Sequence, residues 1–349
     1  SEKGKGYDMQ YYTQQLAQHY LRTVADIPEN ITIPEKYRAG LTNDEFLCAL
    51  KQYREFRRQI LSDIARDPET FHLVCLETEP LHSAVSKNKA KSIKSFMRIK
   101  EILTIIAKKP AEENLYCKQD FKGIAHSMEI LDRLSHYGFE REFQDSMSFR
   151  ISYPDNPHVL TVMHALASAG DNLLSGDPRI FTSDGKITYE PEDFVRLIPE
   201  DHIQNLVRSI IRLFRECGYS FQIKYEYNPA KIWIFKNKIA QSSVIMNLER
   251  DSHLDIHLRL SHISEYQNIL PDLSPGILHQ TLSGRDCIHC GYCRKIDPAF
   301  TYNGKNYIKC SVICAGFRYS SYQIAPEDTA ALLMLLKKEL NACDRENQS

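Results

Sequence analysis

Apolar residues recur at helical spacing through the first half of the chain. One amphipathic segment follows Thr42 and runs from Asn43 to Ala65, and another runs from Lys91 to Lys108 and ends before Pro110. Apolar residues at three- and four-residue intervals are typical of helices that bury one face. Further helices are predicted over Tyr7–Arg22, Asp120–His136 and Pro157–Ala169, and one strand over Ser148–Tyr153. The first half is therefore predicted to be rich in helices.

The pattern changes in the second half of the chain. A helix is predicted over Glu200–Cys217, closed by Gly218. Four short runs with strand-like composition follow: Ser220–Tyr227, Lys231–Phe235, Ser243–Leu248 and His253–Leu260. Short connections join antiparallel neighbours, so these runs predict an antiparallel sheet packed on the preceding helix, and the fold class is α+β.

A stretch rich in Asp, Gly, Pro and Ser over 170–190 separates the two patterns. A chain of 349 residues is too long for one ordinary hydrophobic core. We therefore predict a helix-rich domain over 1–185 and an α+β domain over 186–349. The second domain includes a cysteine-rich module at 284–318 and a terminal helix at 326–342.

Charge and hydropathy argue against several classes of partner. The formal net charge is −1, from 44 basic and 45 acidic residues, so there is no overall positive field for nucleic acid or an anionic membrane. No segment approaches the roughly 18 apolar residues of a membrane span, and the first ten residues lack the apolar centre of a secretory signal. The sequence predicts a cytoplasmic protein without a membrane partner.

One local stretch, Lys87–Lys109, is strongly basic beside an apolar helix face. Such a stretch is either a solvated helix face or a patch for nucleic acid or another anion. The second interpretation, combined with the cysteine module, gives a hypothesis of nucleic-acid binding that is weaker than the others below.

Half of the ten cysteines crowd into 28 residues near the C-terminal end. They are Cys287, Cys290, Cys293, Cys310 and Cys314. The Cys-x-x-Cys-Gly spacing lets two thiolates face one ion, and the glycine permits the tight turn. Between the cysteine groups, Asn303-Gly304 within Phe300–Ile308 predicts a hairpin. A knuckle, a hairpin and a second cysteine pair are typical of a zinc ribbon.

Three interpretations of these cysteines remain open. Four of the five thiolates hold a structural zinc, or the cluster holds an iron–sulfur centre, or the thiols are reduced and bind no metal. Because the cysteines outnumber the four positions of tetrahedral zinc, we expect a bound zinc to be closed and structural.

The segment over 284–340 resembles the cysteine-rich tails of uncharacterised bacterial proteins. The resemblance rests on the cysteine triplet, the Tyr307–Cys310 spacing, Phe317 and the Pro326-Glu327-Asp328 opening of a leucine-rich helix. It covers about a sixth of the chain. The resemblance implies a bacterial origin and no particular activity.

Polar side chains alternate with aliphatic ones along the last predicted strand. His253, Asp255, His257 and Arg259 share one face of it. Residues four apart on a strand are separated by about 13 Å, so the two histidines are too far apart to bind one ion. The face is either the solvated outside of the sheet or a row of contacts for a polar or anionic ligand.

Familiar catalytic motifs, such as a phosphate loop, His-Glu-x-x-His or Gly-x-Ser-x-Gly, are absent from the sequence. The leading hypothesis is therefore a non-enzymatic protein that binds a small molecule or regulates another process, with a structural metal. The alternative is an enzyme, dependent on a metal or an iron–sulfur cluster, whose site is assembled from residues distant in sequence.

Overall fold

The structure is a computed structural model, and it describes residues 12–76, 87–110, 113–170, 173–174, 176–183, 186–225, 230–239, 242–249, 253–287, 299–310 and 316–346. The chain divides into two compact units, Ser1–Thr188 and Tyr189–Ser349. Both combine helices with antiparallel sheet, so the fold class is α+β.

The first unit is mainly helical. Its helices are α1 (Tyr12–Thr23), α2 (Glu35–Arg38), α3 (Asn43–Arg66), α4 (Lys87–Lys108), α5 (Ser127–Leu134) and α6 (His158–Ser168). Its strands are β1 (Leu115–Cys117), β2 (Glu140–Phe143) and β3 (Ser148–Ser152), which form an antiparallel sheet in the order β1-β3-β2.

The long helix α3 is fixed at its start by a capping box. Thr42 Oγ1 accepts a hydrogen bond from Glu45 N at 3.2 Å, and the Glu45 carboxylate accepts one from Thr42 N at 2.8 Å. Two of the backbone donors at this helix start are thereby satisfied. Helices α1, α3, α4 and α6 pack around a common apolar core.

The helix predicted over Asp120–His136 is wrong in its first part. The chain forms a 3₁₀ turn over Lys118–Phe121, and the α-helix begins only at Ser127. Gly123 and His126 lie between them with φ of 94° and 60°. These left-handed conformations interrupt a right-handed helix, although the apolar spacing continues across them.

The second unit contains the larger, five-stranded sheet. Its helices are α7 (Pro191–Val195), α8 (Asp201–Glu216), α9 (Pro275–Ser283) and α10 (Asp328–Glu346). Its strands are β4 (Ser220–Tyr225), β5 (Ala230–Phe235), β6 (Val244–Leu248), β7 (Leu254–Leu258), β8 (Ala299–Tyr302), β9 (Lys305–Ile308) and β10 (Phe317–Ser320).

The sheet order is β10-β7-β6-β5-β4, and every pair is antiparallel. The four predicted strands are neighbours, as expected from their short connections. The fifth strand, β10, was not predicted, and it pairs with β7 along its whole length. Strand β7 is therefore an inner strand and not an edge.

One face of this sheet is apolar. On β7 this face carries Leu254, Ile256 and Leu258, which are all buried. They belong to the same apolar core as the buried residues of α8 and α10. Burial of this face fixes which side chains of every strand lie on the opposite face, because side chains alternate along a strand.

The predicted hairpin within the cysteine module is present. Strands β8 and β9 pair in register, and the turn residues Asn303 and Gly304 have φ of 48° and 73°. Two positive φ angles are what a type I′ turn requires. Among the described helices, none is both long and apolar enough to cross a lipid bilayer.

Candidate functional site

The face of the five-stranded sheet opposite the apolar core is polar, and it contains the candidate site. Antiparallel partners share a face, so the strand registers define two rows of side chains that cross all five strands. One row consists of Lys224, Lys231, Asn247, Asp255 and Ser320. The other consists of Gln222, Trp233, Ile245, His257 and Arg318. We call this surface the polar sheet face; it also includes His253 and Arg259 of the β7 segment.

Asp255 is the centre of an ionic network on the polar sheet face. It is only 3% exposed, and its Oδ2 accepts a hydrogen bond from Arg318 and lies 3.1 Å from His253 Nε2. Burial alone would raise the pKa of Asp255, but its interactions with His253 and Arg318 outweigh burial and hold the pKa below its usual value. The carboxylate is therefore ionised at neutral pH.

The interpretation of this face as solvated is wrong for two of its four residues. Asp255 and His257 are 3% and 6% exposed. The reason is the fifth strand, which places Arg318 and Ser320 directly beside these two side chains. His253 lies nearer the margin, where its ring stacks on Tyr322 with ring centroids 5.1 Å apart.

Arg259 has a different environment from Asp255. Its side chain is half-buried, and its Nε is buried without a hydrogen-bond partner among the described residues. Burial lowers the pKa of this guanidinium. No described carboxylate pairs with it. A partly desolvated cation without a counter-ion is unfavourable for folding, and such groups are concentrated at functional sites.

The net charge of the polar sheet face is positive. The two rows and Arg259 carry four basic side chains against one acidic one, Asp255. Glu249, opposite His253 at the margin, adds a second acid. The local field therefore favours an anion, although the whole chain is nearly neutral.

Trp233 is the single tryptophan of the chain, and it lies in the same row as His257 and Arg318. It is half-buried, and Lys231 Nζ lies 5.0 Å from the centroid of its ring. Its position makes it an intrinsic fluorescent reporter of this face.

The structure describes two of the five clustered cysteines. Cys287 N donates a hydrogen bond to Ile308 O, and Cys310 N donates one to Arg285 O, each at 2.9 Å. The two segments pair antiparallel through the Asp286–Lys309 bridge, so Cys287 lies opposite Ile308 and Cys310 lies opposite Arg285, diagonal to each other. The remaining predicted ligands, Cys290, Cys293 and Cys314, lie outside the described residues.

Lys309 ties these two segments together. It is 2% exposed, and its Nζ donates to Leu282 O and Gly284 O at 2.7 Å and to Asp286 Oδ1 at 2.8 Å. The sequence gives no signal for this role, because lysine is almost never fully buried unless it is paired.

A further group of metal-ligating side chains consists of His262, Glu339 and Cys343. The sequence analysis did not identify it. Glu339 and Cys343 are four residues apart on α10, so their shared helix face was detectable from spacing. His262 follows β7, and only the fold brings it to that helix.

The basic residues of α4 lie opposite its apolar face. Lys91, Lys94 and Lys108 are exposed, while Phe96 and Leu103 are buried. This placement is what a solvated helix face requires, and it leaves nucleic-acid binding as an untested prediction.

The chain was compared with protein-family models, with curated proteins and with solved structures, and no match was found.

Proposed function

We propose that this protein is a non-enzymatic binding protein that holds a small anionic molecule on the polar sheet face. The observation that carries the proposal is Arg259, a half-buried guanidinium with no carboxylate partner among the described residues. A carboxylate or phosphate group of the ligand supplies the missing counter-ion, and the partly desolvated setting strengthens the pairing.

The neighbouring residues suit a ligand that also carries hydrogen-bond donors. Asp255 Oδ1 is buried and has no partner among the described residues, whereas Asp255 Oδ2 is occupied by Arg318 and His253. A donor on the ligand pairs with Oδ1 at one end of the row, and its anionic group pairs with Arg259 at the other. The distance between these residues along the strand, about 13 Å, sets the scale of the ligand.

The electrostatics of Asp255 fit ligand binding better than proton transfer. A general acid or base is most effective when its pKa lies near the working pH. Asp255 is the acid of the two rows, and its pKa is held below the usual value. It is therefore suited to orienting Arg318 and a ligand.

We also propose that the cysteine module holds a structural zinc. Support comes from the antiparallel pairing, in which Cys287 and Cys310 are diagonal positions on neighbouring segments, and from the type I′ hairpin between the cysteine groups. Zinc binding by thiolates supplies folding free energy to the segment that contains them.

A thermal-shift screen with small carboxylates and phosphates tests the binding proposal. A ligand at 100 times its Kd stabilises the folded state by about 2.7 kcal/mol. We expect at least one compound to stabilise the unaltered protein and Arg212→Ala, which removes an exposed arginine of α8, but not Arg259→Ala. Equal stabilisation of Arg259→Ala by the same compound would refute the proposed role of Arg259.

A further inference from the structure

Glu339, Cys343 and His262 converge at one end of the second unit. Glu339 and Cys343 extend from adjacent turns of α10, and Glu339 is 5% exposed. His262 lies just beyond β7 and begins the 3₁₀ turn Ile263–Glu265. The imidazole, the carboxylate and the thiol thus meet between two elements that are fixed by the core.

The distances among the three side chains resemble the edges of a metal coordination tetrahedron. His262 Nδ1 lies 3.0 Å from Glu339 Oε1 and 3.6 Å from Cys343 Sγ, and Cys343 Sγ lies 3.6 Å from Glu339 Oε1. For zinc bonded to nitrogen and oxygen at about 2.0–2.1 Å and to sulfur at about 2.3 Å, tetrahedral angles give edges of roughly 3.3–3.6 Å. Only the His262–Glu339 edge is shorter, by a few tenths of an ångström.

Hydrogen bonding alone overloads one carboxylate oxygen. Glu339 Oε1 accepts from Ser261 N at 2.9 Å and also faces His262 Nδ1 and the Cys343 thiol. A carboxylate oxygen has about two lone-pair sites, so three donors exceed its capacity. A cation in the triangle replaces two of these donors with one coordinate bond and leaves the second site to Ser261.

The other carboxylate oxygen is held by groups that do not compete with a cation. Glu339 Oε2 accepts from Tyr266 Oη at 2.6 Å and from His262 N at 3.1 Å. Tyr266 is 4% exposed and belongs to the apolar core of the second unit, so its hydroxyl is held in place against the carboxylate. Ligating carboxylates are commonly oriented by hydrogen bonds of this kind.

The geometry does not form a catalytic relay that runs from Glu339 through His262 to Cys343. Such a relay uses one ring nitrogen toward the carboxylate and the other toward sulfur. Here Glu339 and Cys343 both approach the same nitrogen, Nδ1.

We infer that His262, Glu339 and Cys343 bind a divalent transition-metal ion of the zinc type, at a site separate from the cysteine module. One thiolate and one carboxylate balance the two charges of the ion, which suits a mostly buried position. A thiolate with an imidazole favours zinc over magnesium or calcium. Three ligands come from the described residues, and a fourth donor, such as water or an added molecule, completes the tetrahedral coordination of zinc.

Zinc content of the folded full-length protein tests this site. The protein is saturated with zinc, the weakly bound excess is removed, and metal is counted per chain in the unaltered protein, Cys343→Ser and His262→Gln. We expect each variant to contain about one zinc per chain less than the unaltered protein. Serine and glutamine retain hydrogen-bonding groups, so a purely hydrogen-bonded cluster tolerates them and loses no metal.

Cys217→Ser is the matched control, because it removes a part-buried thiol of the same unit that lies in a different part of the fold. The cobalt-substituted protein supplies a second measurement: Cys343→Ser should lower the thiolate-to-cobalt absorption, and Cys217→Ser should not. Equal zinc content in all four proteins, or equal cobalt spectra, would overturn the inference. Because the count is a difference, the result does not depend on whether the cysteine module is loaded.

Discussion

Arg259 and Asp255 occupy the same side of the β7 segment in contrasting electrostatic environments. Asp255 contacts His253 and Arg318, which stabilise its negative charge. Arg259 has a buried Nε without a partner, and no described carboxylate balances it. Retaining a partly buried, unpaired cation just beyond an inner strand lowers stability, which is the trade-off expected where a residue is needed for function.

Replacing Arg259 should therefore stabilise the fold while it removes binding. We expect Arg259→Met to raise the free energy of unfolding by about 1 kcal/mol, because it relieves an unsatisfied polar group and keeps the apolar contacts of the side chain. Denaturant unfolding measures the change. Arg318→Met is the comparison and should lower stability, since it deprives buried Asp255 of a partner. A clear loss of stability in Arg259→Met would show that Arg259 is a structural residue.

The Asp255 network makes a specific contribution to acid stability. The folded pKa of Asp255 is depressed, so its contribution is fully present above the ordinary pKa of about 3.9 and is lost as the pH falls through the lower folded value. We expect the stability difference between the unaltered protein and Asp255→Asn to shrink as the pH falls below about 4. A difference that is independent of pH down to acid unfolding would contradict the proposed ionisation of Asp255.

Single residues were predictable where a local pattern carries the information. The alternation over 253–260 identified the four polar residues of the β7 segment and their common face. It did not reveal that Asp255 is buried, because burial depends on β10, which lies some sixty residues further along the chain. His262 and Glu339 are likewise joined only by the fold.

At the scale of elements, the long helices and the four-strand order followed from apolar periodicity and short connections. The structure differs from these predictions where a local backbone conformation interrupts a helix or where a strand pairs with a distant part of the chain. The left-handed residues Gly123 and His126 divide a segment whose apolar spacing is helical throughout. Strand β10 is only four residues long and follows the cysteines, so its pairing with β7 has no local signature.

At the same scale, we expect Lys309 to be essential for the stability of the folded cysteine module. Its removal leaves two part-buried carbonyl groups without this donor, so Lys309→Met should destabilise the module by about 2 kcal/mol. Lys305→Met, an exposed change on the same hairpin, should be nearly neutral. Hydrogen exchange of the hairpin amides measures both. Similar protection in the two variants would show that the contacts of Lys309 contribute little.

The proposed structural zinc belongs to the same cysteine module, and a substitution in that module tests it. We expect Cys310→Ser to lose zinc and to expose the hairpin to proteolysis, because thiolate coordination supplies much of the module's folding free energy. Zinc content and limited proteolysis are the measurements, with Cys117→Ser in the first unit as the control. Protein that contains neither zinc nor iron when prepared without chelator would leave the reduced-thiol interpretation as the correct one.

At the scale of the whole molecule, a nearly neutral chain carries a positive polar sheet face. Overall composition therefore argues against broad polyanion binding, whereas the strand registers concentrate basic side chains on one surface. This contrast favours recognition of a small anion over a long polymer. It also implies that raising the ionic strength weakens binding only modestly where the charges are partly buried.

The most direct measurement of the central claim is the fluorescence of Trp233 during titration with the anionic compound that gives the largest thermal shift. Trp233 is the only tryptophan and belongs to the polar sheet face, so its signal reports on that face. We expect a saturable change in the unaltered protein and in Arg212→Ala, and at least a tenfold weaker affinity in Arg259→Ala, equivalent to about 1.4 kcal/mol. A Trp233 signal that saturates with the same affinity in Arg259→Ala, or that does not change while the compound still stabilises the protein, would contradict the account.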